Sequence, residues 1–331
     1  MSRRYVSQLA HQEAIDQIFL ASDKQLRPNR NGNLYLQLEL SDRSGSIAAR
    51  MWNASEQDYR NFENGDYVRV EGSTQLFQGT IQLIATSIRK APASEVAPDD
   101  FMTLGSKEVD HLVLRLSGFL RKLRDPHLLN LAECFLLDEE LMRKLSRAPA
   151  GVKNHHAYVG GLIEHIVGLM DLIDRIAPLY PSVQADVLLM GAFLHDIGKI
   201  DELTYERDLA YSDEGQLIGH VVMAVGILER KLKEAERLSG ETMPDELVLR
   251  LKHMIVSHHG QYEYGSPKLP MTLEAVALHH LDNLDAKIHS FDQLMRDDPN
   301  VESGWTIFHH GLGRKLFKGE SALPQRSGPA R

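Results

Sequence analysis

The hydrophobic period of this chain changes once along its length, and that change decides what it can fold into. Up to about residue 90, apolar side chains recur at every second position. Leu34, Leu36, Leu38 and Leu40 alternate with Tyr35, Gln37 and Glu39, and Val68 and Val70 alternate with Tyr67, Arg69 and Glu71. Alternation of this kind is the mark of half-buried strands. From Lys107 onward the period becomes helical, most clearly in Leu162, Ile163, Ile166, Val167, Met170, Leu172 and Ile173. A run of strands followed by a run of helices, with a Pro/Ala/acid stretch between them, predicts two separately packed domains. A chain of 331 residues is long enough for both.

In the first part, Ile47, Ala49 and Met51 continue the alternation after the turn Asp42-Arg43-Ser44-Gly45, and Ile81 and Leu83 follow Gln78-Gly79. A further strand is expected near Ala14 to Leu20, and a helix from Ser55 to Phe62. Five short strands with a helix after the third predict a small OB-type β-barrel over residues 1–90, a plain β-sandwich being the alternative. Residues 91–104 (APASEVAPDDFMTL) read as a linker. Residues 105–317 read as an all-α helical bundle, with later helices around 183–197, 219–239, 245–258 and 271–295, and residues 318–331 as a disordered tail.

Composition narrows the function. The net charge of −9 argues against a broad basic face for duplex DNA but leaves room for a narrow single-strand channel, and it suits carboxylates gathered around cations. Cys134 is the single cysteine, so no intrachain disulfide can form, which fits a reducing cytoplasm. No apolar run follows Arg3-Arg4 in the manner of a secretory signal, and the longest apolar run, Val187 to Leu194, is too short for a bilayer. A cytoplasmic protein without membrane contact is expected.

Of the 16 histidines, 13 lie between His155 and His310. Clustered histidine points to a metal or acid/base centre. The run VLLMGAFLHDIGK drives an apolar helix straight into His195-Asp196, and burying such a pair is costly unless something, such as a divalent cation, compensates it. His165 lies on the long amphipathic helix, His220 follows Gly219 at a helix start, His258-His259-Gly260 ends another helix, and Asp282 sits on a further one. Each falls near the core-facing side of its helix, as in bundles that build metal centres from inward-facing side chains. His11, His111, His127, His253 and His289 read as surface or packed residues, and His309 and His310 as structural.

The ordered set His165, His195-Asp196, His220, His258 and Asp282 resembles the HD superfamily of metal-dependent phosphohydrolases. The stretches Asn154 to Leu162 (NHHAYVGGL), Leu194 to Lys199 (LHDIGK), Ser257 to Pro267 (SHHGQYEYGSP) and Glu302 to Thr306 (ESGWT) are similar to the YhaM-type branch of 3′–5′ exoribonucleases, which also carry an N-terminal OB domain. The resemblance implies that His165, His195, Asp196 and Asp282 hold one metal, and that Asp196 bridges to a second held by His220 and His258. His259 would be a ligand, a neighbour of the ligands or a phosphate contact. Mn²⁺ is the first expectation, with Mg²⁺, Fe²⁺ and Ni²⁺ as alternatives. Two such ions about 4 Å apart could share a hydroxide for in-line attack on phosphorus. Lys199 and Lys268 are candidate phosphate contacts. Asn154, His155 and His156 are candidates to bind the scissile phosphate or protonate the leaving oxygen, with helix capping as the alternative.

In the barrel, Lys24, Arg27 and Arg30 crowd what reads as the loop after the first strand, a place where OB folds contact oligonucleotides. Tyr35, Trp52, Tyr67 and Phe77 point outward and could stack on bases, or else pack the barrel. The expected substrate is single-stranded nucleic acid, with RNA favoured over DNA and self-association left open. Two other readings remain: a phosphohydrolase of mononucleotides or cyclic dinucleotides, and a non-catalytic RNA-binding or metal-sensing protein. The segment after His258-His259 lacks the Gly-Tyr-Pro signature of cyclic-di-GMP phosphodiesterases, which weakens part of the first.

Overall fold

The computed structural model describes residues 3–77, 80–101, 104–152, 158–205, 209–296, 298, 300 and 303–319. The chain forms two compact units, one built from residues up to 103 together with those from 290 onward, the other from residues 104–289.

The first unit contains a closed barrel of β1 (Ala14–Pro28), β2 (Leu34–Asp42), β3 (Gly45–Trp52), β4 (Tyr67–Phe77) and β5 (Thr80–Lys90), in the order β1-β2-β3-β5-β4. β1 pairs with both β2 and β4, which closes the ring and removes the sheet edges. The period-2 pattern sends Leu36, Leu38 and Leu40 inward, where they meet Phe19, Ala49, Val68, Val70 and Leu83. Each large side chain buried this way contributes about 1.5–3 kcal/mol. α1 (Glu56–Arg60) follows β3 and starts on a capping box in which Ser55 and Asp58 bond each other's backbone N–H.

β1 runs eight residues past the expected end at Leu20. It pairs with β4 as far as Leu20 and then continues along β2 from Leu20 to Pro28, across a bulge between Ser22 and Gln25 where Asp23 takes a φ of +49°. The bulge turns Lys24 toward α1 and the segment that follows it. The Pro/Ala/acid stretch expected as a linker is instead tied to the barrel. Tyr5 Oη donates to Asp100 Oδ1 (2.8 Å), the Arg43 N–H donates to the Asp100 carbonyl (2.9 Å), and the Tyr67 and Phe101 rings lie 4.7 Å apart. Tyr67 is therefore a packing residue.

The second unit is a helical bundle: α2 (Ser106–Leu120), α3 (Pro126–Leu136), α4 (Glu139–Leu145), α5 (Gly161–Ile176), α6 (Ala185–Leu194), α7 (Lys199–Glu202), α8 (Asp213–Ile218), α9 (His220–Ser239), α10 (Asp245–Ser257) and α11 (Leu273–Arg296), with a small hairpin of β6 (Leu203–Thr204) and β7 (Ala210–Tyr211). Asp125, Asp138 and Ser212 cap α3, α4 and α8 by accepting backbone N–H groups. α6 is apolar on nearly every side and packs against α2, α3, α5 and α10. A helix of that composition belongs at the centre of a bundle. Its C-terminus consequently delivers His195 and Asp196 to the interior. Among the described residues, no helix is long and apolar enough to cross a membrane.

The bundle ends earlier than the expected residue 317. The buried side chains of α11 are Glu274, Ala275, Leu278, Leu281 and Asp285, and the compact unit of the bundle closes at His289. Lys318, expected to begin a disordered tail, is instead a buried anchor, its Nζ 2.9 Å from Asp298 Oδ1. Residues 320–331 lie outside the described residues.

Candidate metal centre and nucleic-acid surface

Five helices carry the centre. α5 supplies His165 and α11 supplies Asp282 from their middles. α6 and α10 supply His195 and His258 at their C-caps, and His220 is the first residue of α9. A helix end leaves carbonyls without partners. The two C-cap histidines use them: Nδ1 of His195 lies 2.8 Å from the Ala192 carbonyl, and Nδ1 of His258 lies 2.7 Å from that of Ile255. Nδ1 therefore carries the proton in both rings and Nε2 presents a lone pair inward. His220 is oriented the same way by Glu202, whose Oε1 is 3.0 Å from Nδ1 and also accepts the His220 backbone N–H at 2.9 Å. Asp285 Oδ2 holds Nδ1 of His165 at 3.0 Å. Each of the four imidazoles is thus fixed through one nitrogen and offers the other, the arrangement of metal-ligating histidine.

Asp196 faces two sides. Oδ2 lies 3.4 Å from His195 Nε2, and Oδ1 lies 3.4 Å from His220 Nε2 and 3.5 Å from His258 Nε2. Among the described residues, His165, His195 and Asp282 form one group of potential metal ligands, with donor atoms within 4.8 Å of one another. His220, His258 and His259 form a second group on the same criterion. Asp196 turns one oxygen toward each.

These residues fit divalent cations. Asp196 Oδ1, His220 Nε2 and His258 Nε2 are buried without a hydrogen-bond partner. All three are acceptors, and unpaired burial costs about 1–3 kcal/mol per group. A cation pairs them together; a proton could serve only one contact. Burial opposes charge on Asp196, yet Lys199, His195 and His258 outweigh it and hold its carboxyl well below the usual range. Asp282 is also depressed, through His165 and His195 against burial. Burial disfavours a charged His165, but Asp282 and Asp285 reverse this and raise its pKa to about 10. Both carboxyls are therefore ionised at neutral pH, the form in which a carboxylate binds a cation. Burial, with His258 beside it, lowers His259 to about 3, so its ring stays neutral, and its Nδ1 is buried without a partner.

The turns that bring these groups together need glycine at two places. A Cβ on Gly198 would stand 2.1 Å from the His220 carbonyl, so the turn after Asp196 can reach the start of α9 only without a side chain. Gly260 has a φ of +77°, and a Cβ there would stand 2.1 Å from the His279 ring. His279 in turn bonds the His258 carbonyl through Nδ1 at 2.8 Å.

All six expected metal ligands thus meet in one pocket. Lys199 is half-buried beside them, its Nζ 2.6 Å from Asp196 Oδ2. Lys268 is exposed on the loop after α10. Asn154, His155 and His156 lie outside the described residues. Sequence reasoning missed Glu202 and Asp285. Asp285 could have been found, since it stands one helical turn from Asp282 and shares its face.

Residues 162–287 match the HD domain family, and residues 21–91 match an OB-fold nucleic acid binding domain. The 3′-5′ exoribonuclease YhaM of Bacillus velezensis is 35% identical over 284 residues, covering 86% of this chain and 88% of that protein. The Bacillus subtilis protein of the same name is 34% identical over the same coverage. This chain belongs to the YhaM family. Among solved structures, the second OB-fold domain of replication protein A from Methanococcus maripaludis aligns with 26% of this chain and 92% of its own, at 20% identity and a TM-score of 0.22.

In this YhaM-family chain, the outer face of the barrel carries a row formed by cross-strand register. Arg27 on β1 pairs with Tyr35 on β2, which pairs with Trp52 on β3, the last two rings 5.1 Å apart. The next row on that face is Gln25, Gln37 and Arg50, whose guanidinium lies 5.6 Å from the Phe77 ring. Trp52 and Phe77 are each 46% exposed, too open for core residues. Arg27 lies on β1 itself, and Arg30 is exposed in the following loop. Lys24 does not join them. Its Nζ is buried, donating to the carbonyls of Tyr59 (2.8 Å) and Phe62 and pairing with Glu63 at 3.1 Å, because the bulge at Asp23 turns it inward. It caps the end of α1 and has no group left for phosphate.

Proposed function

We propose that this protein is a divalent-metal-dependent 3′–5′ exoribonuclease that shortens single-stranded RNA in the cytoplasm. The observation that carries the reading is the Asp196 carboxylate, which turns one oxygen to each of two histidine groups. The named activity of its relatives supports the choice of RNA and of direction. The outward row of exposed Arg27, half-buried Tyr35 and exposed Trp52 supports a single strand with accessible bases, since aromatic faces stack on any base for about 1–3 kcal/mol each.

His165, His195 and Asp282 would hold one cation and His220, His258 and His259 the other, with Asp196 shared. Mn²⁺ is the first choice because octahedral sites with oxygen ligands suit it, although affinity order alone would place it last. When bound, such ions supply a nucleophilic water near neutral pH and neutralise charge building on the phosphate. The protein's part is to hold the geometry. Glu202 and Asp285 fix the rings of His220 and His165. Lys199 keeps its proton, since Asp196 offsets the effect of burial, and it fixes Asp196 while adding positive charge beside the phosphate position.

A short 5′-labelled single-stranded RNA with Mn²⁺ should give a ladder of products shortening from the 3′ end, abolished by EDTA. A 3′-labelled strand should release labelled mononucleotide from the start. Intact RNA after metal loading, or hydrolysis of cyclic dinucleotides alone, would contradict the proposal.

A further inference from the structure

The segment 303–319 buries Leu316 and Thr306 and is otherwise held largely by polar contacts. Asp298 and Lys318 pair in a buried contact, and Lys318 Nζ also donates to the Asn300 carbonyl at 2.7 Å. Asp298 Oδ2 accepts the Ile307 N–H at 2.9 Å. Thr306, fully buried, bonds Leu316 in both directions, its N–H to the Leu316 carbonyl (2.9 Å) and its Oγ1 from the Leu316 N–H (2.8 Å). Its exposed side chains include three aromatics, Trp305 at 50%, Phe308 at 47% and Phe317 at 58%, beside the exposed His310, Arg314 and Lys315. Trp305 and Phe317 oppose each other as a bridged pair with ring centroids 4.9 Å apart. Three exposed aromatic rings within one short segment mark a surface that a partner covers.

Charge says what that is. Between Glu302 and Glu320 the segment contains Arg314, Lys315 and Lys318 and no carboxylate, in a chain of net charge −9. Lys318 is committed to Asp298, whereas Arg314 and Lys315 are exposed. The Arg314 guanidinium lies 5.5 Å from the Phe291 ring, and neither Arg314 nor Lys315 pairs with a carboxylate among the described residues; ring faces beside such cations suit a polyanion that carries stackable bases.

We infer that residues 303–319 form a second docking surface for single-stranded nucleic acid, with Trp305, Phe308 and Phe317 stacking on bases and Arg314 and Lys315 facing phosphates. The inference rests on the exoribonuclease reading and extends it to a segment outside both matched domains.

The test uses the full chain. Binding of a labelled single-stranded oligoribonucleotide is followed by fluorescence anisotropy in EDTA, so that the strand is not consumed. Trp305→Ala should weaken binding about tenfold, the loss of one stacked base. Arg314→Glu combined with Lys315→Glu should reduce the slope of log affinity against log salt by about 1.4, or two single-strand phosphate contacts. Both variants should keep the wild-type melting temperature and, with Mn²⁺, wild-type hydrolysis of bis-p-nitrophenyl phosphate. If Trp305→Ala melts early, the charge pair decides. Wild-type RNA binding by both variants, in a protein that degrades RNA, overturns this inference alone. Failure of the unaltered protein to bind or shorten RNA while it cleaves the small diester overturns the exoribonuclease reading and this inference with it. Unchanged RNA binding with a changed mass in light scattering marks the surface as a protein contact and also overturns the inference.

Discussion

Glu202→Ala tests how the metal centre is assembled. One carboxylate oxygen of Glu202 accepts both the Nδ1 proton and the backbone N–H of His220, at 3.0 and 2.9 Å. Removing it frees the ring to rotate and leaves the first N–H of α9 without its acceptor. Loss of such an orienting partner weakens metal binding about 10- to 100-fold. That factor corresponds to about 1.4–2.8 kcal/mol. The loss should be one-sided. His220 belongs with His258 and His259, while His165, His195 and Asp282 are oriented by other groups. Calorimetric titration of the metal-free variant with Mn²⁺ should show one of two binding events weakened by that factor and the other within about threefold of wild type. Equal weakening of both events, or of neither, would refute the division into two half-sites joined by Asp196.

Other expectations follow from single residues. Asp196→Ala should abolish hydrolysis and Mn²⁺ loading while the chain keeps its helical circular dichroism; activity surviving the change would exclude a shared carboxylate. Gly260→Ala forces a side chain into a left-handed position, costing about 1–2 kcal/mol, and into the His279 ring, so activity should fall at least about tenfold even at saturating Mn²⁺; normal turnover would show that the His258-His259 turn tolerates displacement. Lys24→Met leaves the Tyr59 and Phe62 carbonyls unpaired and should destabilise the barrel by about 1–3 kcal/mol in denaturant unfolding, with RNA affinity of the folded protein unchanged; a specific loss of RNA affinity would restore Lys24 to the binding surface. The Asp298 carboxyl is opposed by burial but held below its usual range by Lys318 and two backbone N–H groups. A depressed folded pKa contributes stability that is present above the ordinary carboxylate range, about pH 4, and is lost as pH falls through the folded value. The stability gap between wild type and Asp298→Asn should therefore shrink below about pH 4; a gap constant from neutrality to about pH 3 would exclude the ion pair as its source.

The division into barrel and bundle was legible because hydrophobic period is local, and the switch from Leu34-Leu36-Leu38 to the stripe of α5 needs no long-range information. The convergence of His165, His195, Asp196, His220, His258 and Asp282 was legible because each lies at a helix face or end that periodicity locates; their reading as a ligand set came from the resemblance to the HD superfamily. What was not legible depends on distant geometry. Lys24 looks like its basic neighbours in sequence, and only the bulge at Asp23 turns it from solvent to the α1 carbonyls. Glu202 looks like a surface acid after a short helix, and only the return of the chain at Gly219 sets it against His220. Lys318 looks like the first residue of a polar tail, and its role appears only when Asp298 lies opposite.

The most direct measurement is anomalous diffraction at the manganese edge from crystals loaded with Mn²⁺. Two peaks are expected, one bounded by His165, His195, Asp282 and Asp196 Oδ2, the other by His220, His258, His259 and Asp196 Oδ1. A single peak that Asp196 does not touch, or peaks outside this pocket with Asp196 held only by Lys199, would contradict the account.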